Sequence, residues 1–88
     1  MAQEKEAVVD LTTARASTHG DFRSVAVIEQ KLKDILRSGP NWDQLPDNMK
    51  CALEMIAHKQ ARILCGSCVH KDHWDDISGY AHIVARHL

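Results

Sequence analysis

The chain has 88 residues and a formal net charge of -1, from 12 acidic and 11 basic side chains. A chain of this length forms one domain and buries a smaller share of its surface than a longer chain does. Many such chains bury more apolar surface by associating with a second copy. The near-neutral charge excludes the broad positive field with which proteins bind nucleic acids or anionic membranes.

The start of the chain carries the weakest structural signal. A few apolar residues there have helical spacing, but two adjacent threonines and the chain end favour fraying. We predict an N-terminal arm or weak helix over residues 1–18 and a single helical domain over residues 19–88. The polar start lacks the pattern of a secretory signal, and no apolar run approaches the roughly 18 residues that span a bilayer. We therefore expect a cytoplasmic protein with no nucleic-acid partner and no membrane partner.

The first clear helix is predicted to begin after Asp21, whose carboxylate can cap it by accepting a hydrogen bond from a backbone N–H group. Apolar residues then recur on one stripe at helical spacing. The helix should end at Ser38, because Gly39 can adopt the left-handed cap conformation and Pro40 cannot continue a helix. The stripe consists of Phe22, Val25, Ile28, Leu32, Ile35 and Leu36.

The second helix is predicted to begin with Pro46 in its first turn and to run to Cys65, before Gly66. In the connector that precedes it, Trp42 is expected to fold back onto the bundle, because an indole is seldom left fully in water. One face of the helix is apolar, apart from Gln60 in its middle. That face consists of Met49, Leu53, Ile56, Gln60, Ile63 and Leu64.

The last helix is predicted to begin at Asp72, with Asp75 in a box-like arrangement three residues on, and to run to the C-terminus. Almost no stretch of the chain alternates apolar and polar residues as a strand does, so we predict no sheet. Short loops indicate an all-α fold, a small antiparallel bundle of three to four helices. Its apolar stripes leave surface for a second copy, so we expect oligomerisation to complete the bundle and favour a homodimer. The inner stripe of the last helix consists of Trp74, Ile77, Ala81, Val84 and Leu88.

Cysteines and histidines crowd the junction between the second and last helices. Thiolates and imidazoles are the usual zinc ligands, but common structural zinc sites join two ligand pairs across about a dozen or more residues. A redox site of the Cys-X-X-Cys type needs a preceding strand, which this chain does not supply. We therefore expect no bound zinc and interpret the cysteines as thiols in a reducing compartment. The four residues rejected as a metal site are Cys65, Cys68, His70 and His73.

Three segments of the chain resemble an uncharacterised family of small helical proteins from phages and prophages. The segments are Thr18–Phe22, Ala52–Leu64 and His70–Ala81. The most specific matches are the Gly-Asp pair in the first segment, the Lys59 and Arg62 pair in the second, and Asp-Ile-X-Gly-Tyr-Ala in the third. That family is distantly similar to MazG-like all-α nucleoside triphosphate pyrophosphohydrolases. The resemblance implies a helical bundle that dimerises or tetramerises, with a nucleotide-related ancestry.

The resemblance does not carry over an activity. Enzymes of the MazG type hold magnesium with a pair of glutamates on one helix and a second acidic pair on the next. Here the corresponding helix offers Glu54 alone, with His58 a turn later, so we assign no catalytic residue and expect no pyrophosphohydrolase turnover. The Cys-Gly-Ser-Cys loop also departs from the Gly/Asn/Pro turn usual in the family. The candidates for ligand binding are His19, Asp21, Glu54, Lys59, Arg62, Asp76 and Tyr80.

Three functions remain open from the sequence. The first is a non-catalytic homo-oligomer that acts by binding a host or phage protein and needs no cofactor. The second is a nucleotide-binding or nucleotide-hydrolysing protein of reduced MazG type, which would use magnesium. The third is a metal-binding or redox module built on Cys65 and Cys68. In the second case the residues around the phosphates would be Glu54, Lys59, Arg62 and Asp76.

Asp76 is expected to pair with a basic residue of the second helix. It lies beside the apolar stripe of the last helix, while Lys59 and Arg62 flank the stripe of the second helix. Docking the two stripes would therefore bring the charges together. We expect Arg62 to be the partner, because its planar guanidinium binds a carboxylate through two parallel hydrogen bonds that an ammonium group cannot reproduce.

Overall fold

The computed structural model describes residues 16–88, which form three complete α-helices and no strand. Helix α1 is Phe22–Arg37, helix α2 is Asp47–Cys65 and helix α3 is Lys71–Ala85. The all-α prediction is confirmed. No helix in this described part of the chain is long and apolar enough to cross a membrane.

The predicted N-terminal arm is described only at its end. Residues 16–19 are helical, and residues 1–15 lie outside the described part of the chain. Gly20 ends this short helical stretch: its N–H donates to the carbonyl of Ala16 at 3.0 Å, and its φ of 86° is the only positive φ among the described residues. Glycine adopts this left-handed conformation without the steric cost that a Cβ atom imposes.

The predicted start and end of α1 are confirmed. The Asp21 carboxylate caps the helix by accepting from the backbone N–H of Ser24 at 3.2 Å. At the other end, the N–H of Ser38 donates to the carbonyl of Asp34 at 3.0 Å. The left-handed cap expected at Gly39 is wrong, because its φ is not positive and the chain instead continues into a 3-10 turn. This turn, Trp42–Gln44, leaves Trp42 half-buried, as predicted.

Helices α2 and α3 follow the predicted bounds closely. Pro46 is the N-cap of α2, and Gly66 follows its last residue. Helix α3 begins one residue before the predicted Asp72, and it ends at Ala85 rather than continuing to the C-terminus. The box-like arrangement of Asp72 and Asp75 is absent, because Asp75 accepts a hydrogen bond from the ammonium group of Lys71 instead.

Helix α2 is the centre of the fold. Helices α1 and α3 both pack against it and make almost no contact with each other. Both neighbours run antiparallel to α2. Along α1, Glu29 pairs with His58 and the later Arg37 pairs with the earlier Glu54. Along α3, Asp76 pairs with Lys59, and the later Val84 lines a groove with the earlier Met49. The predicted antiparallel arrangement is confirmed.

The core is built on small side chains of α2. Ala57 and Ala61 are 1% and 0% exposed, whereas Gln60, predicted to lie within the apolar face, is exposed. That part of the prediction is wrong, because α2 has neighbours on two sides and its alanines allow both to approach closely. Large residues of the predicted stripes remain in solvent, with Phe22 83% and Ile35 68% exposed.

Trp74 was predicted to lie on the inner stripe of α3, but its side chain is exposed. Its indole N–H donates to the backbone carbonyl of Cys68 at 2.8 Å, which holds the ring over the α2–α3 loop. The position facing the core is instead that of His73, which is 1% exposed. The residue buried near the start of α3 is therefore His73 and not the predicted Trp74.

Candidate functional site

The turn of residues 18–20 packs directly on the loop between α2 and α3. The N–H of Ser67 donates to the carbonyl of Thr18 at 3.0 Å. A Cβ atom built on Gly66 would lie 2.5 Å from that carbonyl oxygen and 2.6 Å from the backbone nitrogen of Gly20. Real Cβ atoms do not approach other atoms so closely, so the contact requires glycine. This contact places His19, in the turn, beside the first residues of α3.

Three imidazoles meet at this contact, and we call them the histidine cluster: His19, His70 and His73. The ring centroids are 5.4 Å apart for His19 and His70, 4.9 Å for His19 and His73, and 4.6 Å for His70 and His73. His73 Nε2 lies 3.1 Å from the carbonyl oxygen of Thr18 and 3.2 Å from Nδ1 of His19. Sequence spacing groups His70 and His73 with cysteines and does not indicate their contact with His19.

Burial lowers the pKa of His73, because the interior disfavours the charged ring. The Thr18 carbonyl acts in the opposite direction by accepting a hydrogen bond from the ring. The positive charge of His70 adds to the lowering, as do those of Arg62 and Lys59 to a smaller extent. The net effect is a histidine that stays neutral in the folded protein at pH values where a free histidine is partly protonated.

We therefore expect the fold to weaken at mildly acidic pH. The unfolded chain binds a proton at this position near pH 6.5, whereas folded His73 binds it only at lower pH. The stability that neutral His73 contributes is fully present above the pKa of this residue in the unfolded chain. It declines as the pH falls toward the lower pKa in the folded protein. Urea unfolding in metal-free buffer across this range should show the decline. This loss of stability with falling pH should be smaller in His73→Gln and unchanged in the exposed control His82→Gln. An equal dependence of stability on pH in the two variants would contradict the assignment of the effect to His73.

A polar cleft of about 560 Å³ opens between α1 and α2, next to the histidine cluster. On its wall, Glu29 accepts a hydrogen bond from Nδ1 of His58 and pairs with Lys33 at 3.1 Å. Burial raises the pKa of Glu29, but the hydrogen bonds from these two partners outweigh it and hold the pKa below its ordinary value. The polar and charged residues that line the cleft are His19, Asp21, Glu29, Gln30, His58 and Arg62.

Asp76 pairs with Lys59, whose ammonium nitrogen lies 2.9 Å from Oδ2 of the carboxylate. The prediction that Asp76 pairs with a basic residue of the second helix is confirmed, but the preference for Arg62 is wrong. Arg62 instead lines the polar cleft. The hydrogen bond from Lys59 lowers the pKa of Asp76 and keeps the carboxylate ionised.

The candidate ligand-binding residues do not form one site. His19, Asp21 and Arg62 line the polar cleft, whereas Glu54 faces Arg37 at 3.3 Å, outside it. Lys59 and Asp76 neutralise each other between α2 and α3, and Tyr80 is half-buried further along α3. The four residues proposed to surround phosphates therefore do not line a common cavity.

Sequence reasoning missed two residues of the cleft. Glu29 received no role, and His58 was considered only as a neighbour of Glu54 on the same helix. In the structure His58 instead joins Glu29 across the α1–α2 interface. Glu29 lies beside the apolar stripe of its helix, but His58 lies on the side of α2 opposite the predicted apolar face, so periodicity gave no signal that the two would meet.

The three cysteines are free thiols: Cys51 and Cys68 are exposed and Cys65 is half-buried. Within residues 16–88, the one group of three potential metal ligands whose ligand atoms all lie within 4.8 Å of one another is the histidine cluster, which contains no sulfur. The structure therefore separates His70 and His73 from the cysteines with which the sequence had grouped them. Comparison of the chain with protein-family models, with curated proteins and with solved structures gave no match.

Proposed function

We propose that this protein is a non-catalytic homodimer that acts by binding other proteins. The observation that carries the proposal is an apolar groove of about 340 Å³ between the first half of α2 and the second half of α3. All of its lining residues are apolar. We call this surface the apolar groove, and it consists of Leu45, Met49, Ala52, Leu53, Ile56, Ala81, Val84, Ala85 and Leu88.

Residues 16–88 of one copy do not enclose a substantial core. Among the described residues, the buried apolar side chains are Val25, Ala52, Ala57 and Ala61, and none of them is large. The energy of burial grows with apolar area, at about 25 cal/mol for each Å² removed from water. Most of the leucine, isoleucine and methionine surface of the groove is only partly withdrawn from solvent. A second layer of helices over the groove would bury it.

The occupant that we propose is a second copy of this chain. The groove contains a hollow and, at its edge, the projecting side chain of Leu88, which is 87% exposed. In a twofold arrangement each copy offers the same patch, so the Leu88 of one copy can fill the hollow of the other. The net charge of -1 produces little repulsion between copies. The resemblance to phage and prophage proteins supports the same arrangement, because it implies dimers or tetramers.

Light scattering on the full chain tests the proposal. We expect a particle of twice the 9.9 kDa chain mass at micromolar concentrations. Leu88→Asp should weaken the dimer at least tenfold, because it places a carboxylate in the apolar interface. The matched control is Leu64→Asp, since Leu64 is also largely exposed, at 68%, but lies outside the groove. A monomeric wild-type chain at high micromolar concentration would contradict the proposal, as would dissociation by Leu64→Asp alone.

The alternative, a nucleotide-binding protein of reduced MazG type, has weaker support. Its proposed phosphate-binding residues are separated: Arg62 lies in the polar cleft, and Glu54 and Lys59 have ion-pair partners elsewhere. The cleft wall also carries carboxylates, which repel phosphates. We therefore expect no thermal shift with nucleoside triphosphates and magnesium, and a saturable shift would favour the alternative.

A further inference from the structure

We propose that the histidine cluster is a binding site for a divalent transition-metal ion, represented by Zn²⁺, held by one ring nitrogen each from His19, His70 and His73. Imidazole nitrogen is a common ligand of such ions, whereas magnesium and calcium prefer oxygen. Three histidine ligands leave the fourth tetrahedral position open to water or to another ligand, as in metal sites that bind exogenous molecules. The site is independent of the apolar groove, which lies among the other halves of α2 and α3.

The spacing of the ligand atoms fits a metal ion. One ring nitrogen of each histidine lies within 4.8 Å of the other two. Nδ1 of His19 and Nε2 of His73 are 3.2 Å apart. Two nitrogens at about 2.0 to 2.1 Å from one tetrahedral zinc ion are about 3.3 to 3.4 Å apart. This pair needs almost no movement to bind a shared ion, and a small rotation of the His70 ring would complete the set.

Two polar atoms compete for the same ring nitrogen of His73. His73 Nε2 faces both the carbonyl oxygen of Thr18 and Nδ1 of His19, at nearly equal distances of 3.1 and 3.2 Å. A single N–H can serve only one of these acceptors well. Metal binding through Nε2 would move the ring proton of His73 to Nδ1 and give up the hydrogen bond to Thr18, and the ion would then accept electron pairs from both imidazoles at once. His70 also has a carboxylate nearby, with Asp72 Oδ2 3.8 Å from its Nε2. At this distance the two groups do not share a hydrogen bond, but the negative charge of the carboxylate favours a cation at the cluster.

The backbone holds the three ligands in place. His70 is the N-cap of α3 and His73 lies in the first turn, so their spacing is fixed by the helix. His19 is fixed by the close contact between its neighbour Gly20 and Gly66. A metal site whose ligands are positioned by packed backbone requires little reorganisation on binding. The nearby cations Arg62 and Lys59 oppose metal binding, although Lys59 is neutralised by Asp76.

Metal titration of the full chain, without a polyhistidine tag, tests the proposal. Calorimetry with Zn²⁺ should give one saturable equivalent per chain, and Co²⁺ should give the intense visible absorption of a tetrahedral complex, which Zn²⁺ displaces. His70→Ala should weaken binding at least tenfold, and its side chain is only partly buried, at 33% exposed. Circular dichroism should show that this variant remains folded. His19→Ala should weaken binding to a similar degree, giving a second variant in a different segment.

The controls separate this site from other zinc ligands of the chain. His82→Ala removes an exposed histidine of α3 outside the cluster, and Cys65→Ser/Cys68→Ser removes the two loop thiols. Both proteins should bind Zn²⁺ as the wild type does. The absence of saturable binding by the wild-type chain would overturn the proposal. So would equal affinity in His70→Ala and wild type, or loss of binding in the double cysteine variant.

Discussion

Replacing Gly66 with alanine is expected to lower the free energy of unfolding by about 2 to 3 kcal/mol, near the upper end of the cost of overpacking. The new Cβ atom would lie 2.5 Å from the carbonyl oxygen of Thr18 and 2.6 Å from the nitrogen of Gly20. Both are backbone atoms, so relief requires the turn of residues 18–20 to move away from the α2–α3 loop. The hydrogen bond from Ser67 to Thr18 would weaken with it.

Gly79→Ala is the matched control for this substitution. Gly79 lies in α3, and a Cβ atom built on it would meet nothing within 4 Å. Alanine is favoured over glycine in a helix by about 0.5 to 1 kcal/mol, so this variant should be more stable than wild type. Urea unfolding of the two variants at one protein concentration measures both effects. Equal stability of Gly66→Ala and wild type would show that the turn does not pack on the loop as described.

Ala61→Leu is the second substitution for which we expect a large effect, a loss of about 1 to 3 kcal/mol of stability. Ala61 is 0% exposed in the last third of α2, the helix against which both α1 and α3 pack. Three additional carbon atoms cannot be accommodated without separating α2 from one of them.

Gln60→Leu serves as its control, because it introduces the same side chain at the adjacent position. Gln60 is exposed, so the change should alter stability by less than about 0.5 kcal/mol. The pair also distinguishes the face of α2 that periodicity predicted from the face that is buried. If Gln60→Leu were strongly stabilising and Ala61→Leu harmless, the predicted face would be the correct one.

Local structure was predictable because its causes are local. Asp21 caps α1 through a hydrogen bond three residues along the chain, and Pro46 and Gly66 bound α2, as the sequence indicated. Such signals depend on residue type and short spacing alone. The box predicted at the start of α3 failed for an equally local reason, since the Lys71 ammonium group pairs with the Asp75 carboxylate.

The buried faces were only partly predictable. Periodicity identifies an apolar stripe, but it cannot show how closely two neighbours approach the same helix. On α2 the closest approach occurs over Ala57 and Ala61, so larger residues are pushed to the sides. The stripe that contains Leu53 and Ile56 then remains partly open as the apolar groove.

The histidine cluster could not be predicted from spacing, because His19 and His73 are 54 residues apart in sequence. They come into contact because Gly20 packs against Gly66, and from the sequence each of these glycines is interpreted simply as the end of a helix. The zinc site that we rejected contained only residues close together along the chain, so it combined His70 and His73 with cysteines. Likewise, the choice of Lys59 over Arg62 for Asp76 depends on the rotation of α2, which the sequence does not determine.

The central claim, that a second copy of the chain covers the apolar groove, is tested most directly by nuclear Overhauser effects between copies. A sample mixed from isotope-labelled and unlabelled chains reports only contacts between molecules. We predict intermolecular signals from the methyl groups of Leu53, Val84 and Leu88, which line the groove. A dimer without these signals, or with signals only from Val27 and Leu64, which are exposed elsewhere, would contradict the account.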